Sequence, residues 1–189
     1  MNYLFSVLNA IKPMSEGFRT YLTENLIHHH FCSGDHVPYR PPVSRTIYFI
    51  SYGIVGGIRI SHDQAETLWF SGEGQFVCPG IMPSTRNFVE RIEFLTPTHL
   101  IGLELTMIIT AIGLFPEAME ILFGLLDQNR LESNKREVFL RLSSADRFDL
   151  IANSIPILFI QAHAHQMATY LNISTRQLMR YKRKYYKRS

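Results

Sequence analysis

Within QMATYLNISTRQLMR, residues 166–180, one residue dictates how the chain must turn. Asn172 interrupts a helical pattern in which Met167, Ala168 and Leu171 share a face, and asparagine is, after glycine, the residue that best tolerates a left-handed backbone. Ala168 is small where a second helix must cross closely, and the apolar Ile173 can plug the corner. Ser174-Thr175-Arg176-Gln177 is then an S-x-x-Q capping box, which starts a fresh helix. That helix turns Leu178 and Tyr181 inward and leaves Thr175, Arg176, Met179, Arg180 and Arg183 outward. The pattern is a helix-turn-helix whose second helix is basic and built to enter a major groove.

The charge distribution points the same way. Residues 166–189 hold seven of the 19 basic residues and no acid, so 12 basic residues stand against 16 acidic ones in residues 1–175, a net of −4 there. A mildly acidic body with a strongly basic end presents one surface to a polyanion. A disordered basic tail would need neither Leu178 and Tyr181 at helical spacing nor a cap, and a membrane-surface helix would need a broad aliphatic stripe. The rest of the chain is globular in composition, 46% hydrophobic and 19% charged, and 189 residues suffice for one substantial core or a medium domain plus a small one. Cys32 and Cys78 are too few for a disulfide framework and lack paired metal spacing, so they read as free thiols. MNYLFSVLNAIKPM has no basic stretch before its apolar residues and no small-residue cleavage site. The longest apolar run, residues 100–115, is interrupted by Glu104 and is too short for a comfortable membrane span. The expectation is a soluble, cytoplasmic protein without a membrane partner.

Residues 1–30 show helical periodicity in one or two short pieces, with Leu4, Val7, Leu8 and Ile11 before Pro13 and Phe18, Leu22, Leu26 and Ile27 after it. From Phe31 to about Leu103 the texture is short β-rich runs, at 46–51, 54–60, 66–70 and 88–95, punctuated by turn residues. Turns at such short intervals predict a small β-barrel or jelly roll of roughly 8 strands. Pro116 then opens a long helix to about Leu142, with Met119, Leu122, Leu126 and Leu140 on a broadly common face. That seam can pack on its own barrel or against the same helix of a second subunit. A further helix starts at Ser144-Ala-Asp146, turns Phe148, Ile151, Ala152 and Ile155 inward and ends at Pro156, and the next occupies about 163–171.

At this point the sequence resembles the cyclic-AMP receptor protein/fumarate-nitrate regulator family of transcription factors across nearly its whole length. SGDHVPYRPPVSRTIYFISYGIVGGIRI at 33–60 resembles the family's β-roll signature, a Gly–Asp turn followed by an aromatic strand ending in a Gly turn. LRLSSADRFDLI at 140–151 resembles the segment that joins the dimer helix to the DNA-binding domain, and QMATYLNISTRQLMR resembles the family's helix-turn-helix. The resemblance implies an α+β fold: a β-roll (a double-stranded β-helix like that of cyclic-nucleotide-binding domains), a long dimer helix and an all-α helix-turn-helix. The domains would be residues 1–103, sensor-like with short N-terminal helices, 104–142, a helical dimerisation region, and 143–189, DNA-binding. The function implied is a dimeric transcription regulator on a near-palindromic operator, read by the helix at 174–185. The partners implied are double-stranded DNA, a second copy, RNA polymerase and an unidentified small-molecule effector.

The family's recognition helix runs as Ser/Thr, a variable residue, Glu, Thr, an apolar residue, Ser/Gly and Arg. Arg180 matches the final Arg, which can donate two bonds to guanine O6 and N7. Arg176 stands where the family commonly has Glu, so the target half-site should differ, because a guanidinium cannot accept from cytosine N4. Thr175 and Gln177 are candidates for base or phosphate contacts, Arg183 and Lys184 for the phosphate backbone, while Lys182, Lys187 and Arg188 raise the local potential. About five residues follow Lys184, which leaves no room for the family's β-hairpin wing.

The sensor departs furthest from the family. Cyclic-nucleotide binders carry a Phe-Gly-Glu turn and then an Arg followed by a small residue, whereas this chain has GQFVCPG at 74–80 and PSTRNF at 83–88. Arg86 is the one candidate effector-binding residue, followed by Asn87 and Phe88 in place of the expected residues, and cyclic AMP is not the expected effector. Two distant cysteines cannot hold an iron–sulfur cluster, and Cys78 reads as a buried thiol with redox sensing as the alternative. His28, His29 and His30 point in different directions, with no second ligand group at a helpful spacing, and read as a surface run. Trp69 reads as core, with pocket lining as the alternative. No cofactor, metal or enzymatic activity is expected. Two rivals remain. A cupin-like metal enzyme needs an H-x-H in the β region, where His62 and His99 stand alone, and the His163/His165 pair falls in the helix-turn-helix. A non-specific polyanion-binding or protein-interaction module would share the basic end but not sequence discrimination.

Overall fold

The computed structural model describes residues 1–38, 40–61, 64–77 and 91–187. Two helices open the chain, α1 (Asn2–Ile11) and α2 (Glu16–Asn25). Eight strands follow among the described residues: β1 (Ile27–Phe31), β2 (His36–Pro38), β3 (Thr46–Tyr52), β4 (Ile54–Ser61), β5 (Gln64–Gly72), β6 (Phe76–Val77), β7 (Arg91–Phe94) and β8 (Thr98–Glu104). They form two four-stranded antiparallel sheets, in the orders β1-β8-β3-β6 and β2-β7-β4-β5. The chain then becomes helical through α3 (Leu105–Leu114), α4 (Pro116–Arg141), α5 (Ser144–Ser154), α6 (Ile157–Gln161), α7 (Ala164–Tyr170) and α8 (Thr175–Tyr186). The expected fold class, a β-roll with a long helix and a helical C-terminal region, is the observed one.

Strand alternation sorts the side chains of the first sheet onto two cores. Tyr48, Ile50 and Leu100 face the second sheet and meet Val55, Ile92 and Phe94, with Trp69 packed against them as expected. Phe49 and Ile101 face the other way, onto Leu4, Leu8, Phe18, Leu22, Ala111, Ile121 and Leu125 of the surrounding helices. Two glycines are required by this packing. Gly53 has φ +102°, and a Cβ there would lie 2.4 Å from Thr98 Oγ1. Gly57 lies under the Trp69 indole, which would be 2.2 Å from an added Cβ. The helical side keeps an apolar gap of about 70 Å³ bordered by Leu8, Phe49, Ile101 and Ile121. That is well under the roughly 150 Å³ of a closed cavity that admits benzene.

The apolar run at 100–115 divides at Glu104: the first part completes β8 between β1 and β3, and the second is α3. The long helix has Pro116 at its first turn and spans 26 residues, about 39 Å at 1.5 Å rise. Its buried residues are Ala118, Ile121, Leu125 and Phe139, one position round from the seam of Met119, Leu122, Leu126 and Leu140 read from the sequence. Met119 and Leu140 of that seam are exposed, as is Phe123 at 62%. Ser143 caps α5 by accepting from the Asp146 amide, and Phe148, Ile151 and Ala152 turn inward. Ile155 does not: it has left the helix at φ −139°, ψ 62°, ahead of Pro156, and is exposed. The one-turn α6 that follows is too short for periodicity to announce.

Candidate nucleic-acid interface

The corner between α7 and α8 is built as its sequence requires. Asn172 has φ 51°. The Ile173 amide donates to the Ala168 carbonyl and the Asn172 amide to the Thr169 carbonyl, both at 3.0 Å, which is the double closure of a Schellman motif with an apolar residue behind it. Ser174 Oγ accepts from the Gln177 amide at 3.2 Å, and the Ser174 amide donates back to Gln177 Oε1 at 3.0 Å. Both halves of the capping box are therefore present. Met167, Leu171 and Leu178 are each 0% exposed and lock the two helices together. Tyr181 packs on Phe148, and its hydroxyl lies 2.8 Å from Ser144 Oγ.

The opposite face of α8 is free. Thr175, Arg176, Met179, Arg180, Arg183, Lys184 and Lys187 are all exposed. Arg176, Arg180, Arg183 and Lys187 stand at i, i+4, i+7 and i+11, one stripe along the helix. No ion pair among the described residues involves α8, so these like charges repel one another. Gln177 is only half exposed, and its Oε1 is committed to the cap, which leaves its amide nitrogen as the group able to reach outward. Lys182 is turned away from the stripe. It donates to the Phe159 carbonyl at 3.1 Å over the Phe159 ring, and burial holds its ammonium below the usual lysine range. Arg86, Cys78, His62 and Arg188 lie outside the described residues.

Two arginines that periodicity did not single out position this unit. Arg147 is buried, and its guanidinium donates to the carbonyls of Leu171 (2.8 Å), Leu140 (3.0 Å), Leu142 (2.7 Å) and Asn172 (3.3 Å). It joins the C-terminal end of α4 to the corner of the helix-turn-helix, where two helix dipoles present their negative ends. Arg136 of α4 donates to the Tyr170 carbonyl at 2.6 Å and lies 4.1 Å above the Tyr170 ring. Burial lowers its pKa and raises that of Tyr170. The only sequence signal for either is an arginine beside aromatic residues in a helix, which is too common to be diagnostic.

The first helix of the pair also rests on the β-roll. Thr169 Oγ1 accepts from the Thr67 amide at 3.1 Å, the His165 ring donates from Nε2 to the Ala65 carbonyl at 2.8 Å, and Gln166 donates to Glu93, which pairs with Arg91. Phe70 packs on Tyr170 with ring centroids 4.9 Å apart. His163 and His165 are thus a helix cap and a docking contact. Among the described residues no three His, Cys, Asp or Glu side chains close around a common point, and no helix is long and apolar enough to cross a membrane.

No family model and no curated protein matches the chain by sequence. By structure it is similar to FixK2 from Bradyrhizobium japonicum, with a TM-score of 0.71 at 10% identity over 86% of this chain and 85% of that one. It is similar also to a protein from Eubacterium rectale assigned to the Crp/Fnr family of transcriptional regulators, with a TM-score of 0.73 at 14% identity over 98% of this chain and 88% of that one. A third is CLP from Xanthomonas campestris, a c-di-GMP responsive global regulator, with a TM-score of 0.63 at 16% identity over 90% and 91% of the two chains. The fold is that of Crp/Fnr transcription regulators, a β-roll of the cyclic-nucleotide-binding type followed by a helical C-terminal region.

Proposed function

We propose that this chain is a transcription regulator of the Crp/Fnr type that reads duplex DNA with α8. The observation that supports it most directly is the stripe of Arg176, Arg180, Arg183 and Lys187, exposed on a helix whose opposite side is fixed by the fully buried Leu178. Arg180 donates to a guanine edge, with Thr175, Arg176 and the Gln177 amide as neighbouring contacts and Arg183 and Lys184 on phosphates. Residues 1–103 form a sensor-like unit, 104–142 a dimerisation region and 143–189 the DNA-binding unit. Two copies join through the exposed face of α4, which places two α8 helices on half-sites about 34–36 Å apart. RNA polymerase is the further partner of such a regulator, acting in the cytoplasm. The sensor is degenerate or reassigned to a small molecule other than cyclic AMP.

Selection of bound duplexes from a random pool tests this reading. The expected result is a two-fold symmetric motif with half-sites one helical turn apart and a G in each half. Binding that falls steeply with salt yet enriches no motif would leave a generic polyanion binder in its place.

A further inference from the structure

The β-roll brings two neighbouring imidazoles together with a third that stands far away in the chain. His28 and His30 are two residues apart on β1, so they share a face of the sheet. The antiparallel register pairs His30 directly with His99 on β8, which puts all three rings on that face. Nδ1 of His28 and Nε2 of His99 are 2.9 Å apart. The His30 ring lies flat on that of His99, centroids 4.3 Å apart and 3° from parallel, and Tyr52 borders the group at 5.7 Å from His99.

We propose that His28, His30 and His99 form a binding site for a divalent transition-metal ion of the kind that prefers imidazole, with Zn²⁺ or Ni²⁺ as the probe. Zinc–imidazole bonds are about 2.0–2.1 Å, so two nitrogens on one ion stand about 3.3 Å apart in a tetrahedral shell and about 2.9 Å apart in an octahedral one. The His28–His99 nitrogens, 2.9 Å apart, have the octahedral spacing and open by a few tenths of an ångström for a tetrahedral ion. Three ligands do not yet converge, because His30 is stacked against His99. His30 is exposed on the edge strand β1, so its ring can swing off His99 without disturbing the core. Binding requires the proton between His28 and His99 to move to the other nitrogen of the same ring, so that both neutral imidazoles offer a lone pair with no net proton released, and it leaves the remaining coordination positions to water. The location gives the ion leverage. β1 follows directly on α2 and β8 runs directly into α3, so a metal there ties the N-terminal helices to the strand that leads to the long helix.

The site stands apart from the DNA reading, so its test uses the full-length, tag-free chain without DNA. Calorimetric titration with Zn²⁺ and with Ni²⁺ should give one ion per chain. His28→Gln and His99→Gln should each weaken binding at least tenfold, while His36→Gln, on β2, should leave it unchanged. Glutamine keeps a polar side chain at both positions, His28 exposed on the edge strand and His99 half-buried on β8, and circular dichroism checks that the fold is kept. As a second readout, the imidazole NMR signals of His28 and His99 should move together on adding Zn²⁺. Equal affinity in the wild-type chain and in His99→Gln would overturn the assignment, as would an equal loss in His36→Gln.

Discussion

At the scale of single residues, the outward side chains of α8 separate into two kinds of proposed contact. Arg180, in the middle of the stripe, is proposed to read a base, whereas Lys184 near the last turn carries a point charge without bidentate geometry. Arg180→Ala is expected to cost about 1–3 kcal/mol on the selected site and to relax one base position. Lys184→Ala should weaken all duplexes alike and flatten the salt dependence, and titrations of matched and mismatched duplexes at several salt concentrations distinguish the two. A different residue sets a pH response. Glu117, in the first turn of α4, accepts from the Ser15 hydroxyl at 2.6 Å and the Ser15 amide at 3.0 Å, and these bonds hold its carboxyl below the ordinary value of 4.5. The folded pKa is the lower one, so the contribution is fully present above the ordinary value and is lost as pH falls through the folded one. The stability difference between wild type and Glu117→Gln should therefore shrink between about pH 5 and pH 3. A difference that stays constant in unfolding curves across that range would remove Glu117 from the account.

At the scale of elements, the local signals that set α7 and α8 were legible because they act within a few residues. A left-handed corner, an apolar plug and a capping box need only their sequence neighbours, and each formed where the sequence placed it. Asn172→Val should cost about 1–2 kcal/mol in denaturant unfolding, since a branched side chain is strained at φ 51°, while Asn172→Gly should be tolerated. The long helix was less legible. Its apolar residues spread round most of the first half of the helix, and only the packing of α1 and the first sheet decides that Ala118, Ile121 and Leu125 face inward. Met119 and Phe123 are left outside, which is why they carry the proposed dimer contact. Phe123→Glu is expected to shift the chain from dimer to monomer in sedimentation experiments. Unchanged mass would place the interface elsewhere or dispense with it.

At the scale of the molecule, the orientation of α8 is set from two directions. Arg147 ties the corner of the helix-turn-helix to the end of α4, and Thr67, Ala65 and Glu93 tie α7 to the β-roll. Arg147→Ala would leave four carbonyls without their cation and is expected to cost about 3–5 kcal/mol. Proteolysis should then release the C-terminal helices first, and cleavage kinetics no faster than wild type would show that the carbonyls find other donors. By itself the sequence determined the alternation that makes two sheets, the corner at Asn172, the cap at Ser174 and the sign of the charge on α8, all interactions that close within one turn or one strand. Only the tertiary structure decided that Arg147 would sit among carbonyls from 140–142 and 171–172, that Arg136 would stack on Tyr170, and that His28 and His30 would meet His99. Those meetings depend on how whole layers pack, and no periodicity or spacing within a single segment encodes which distant segment will arrive beside it.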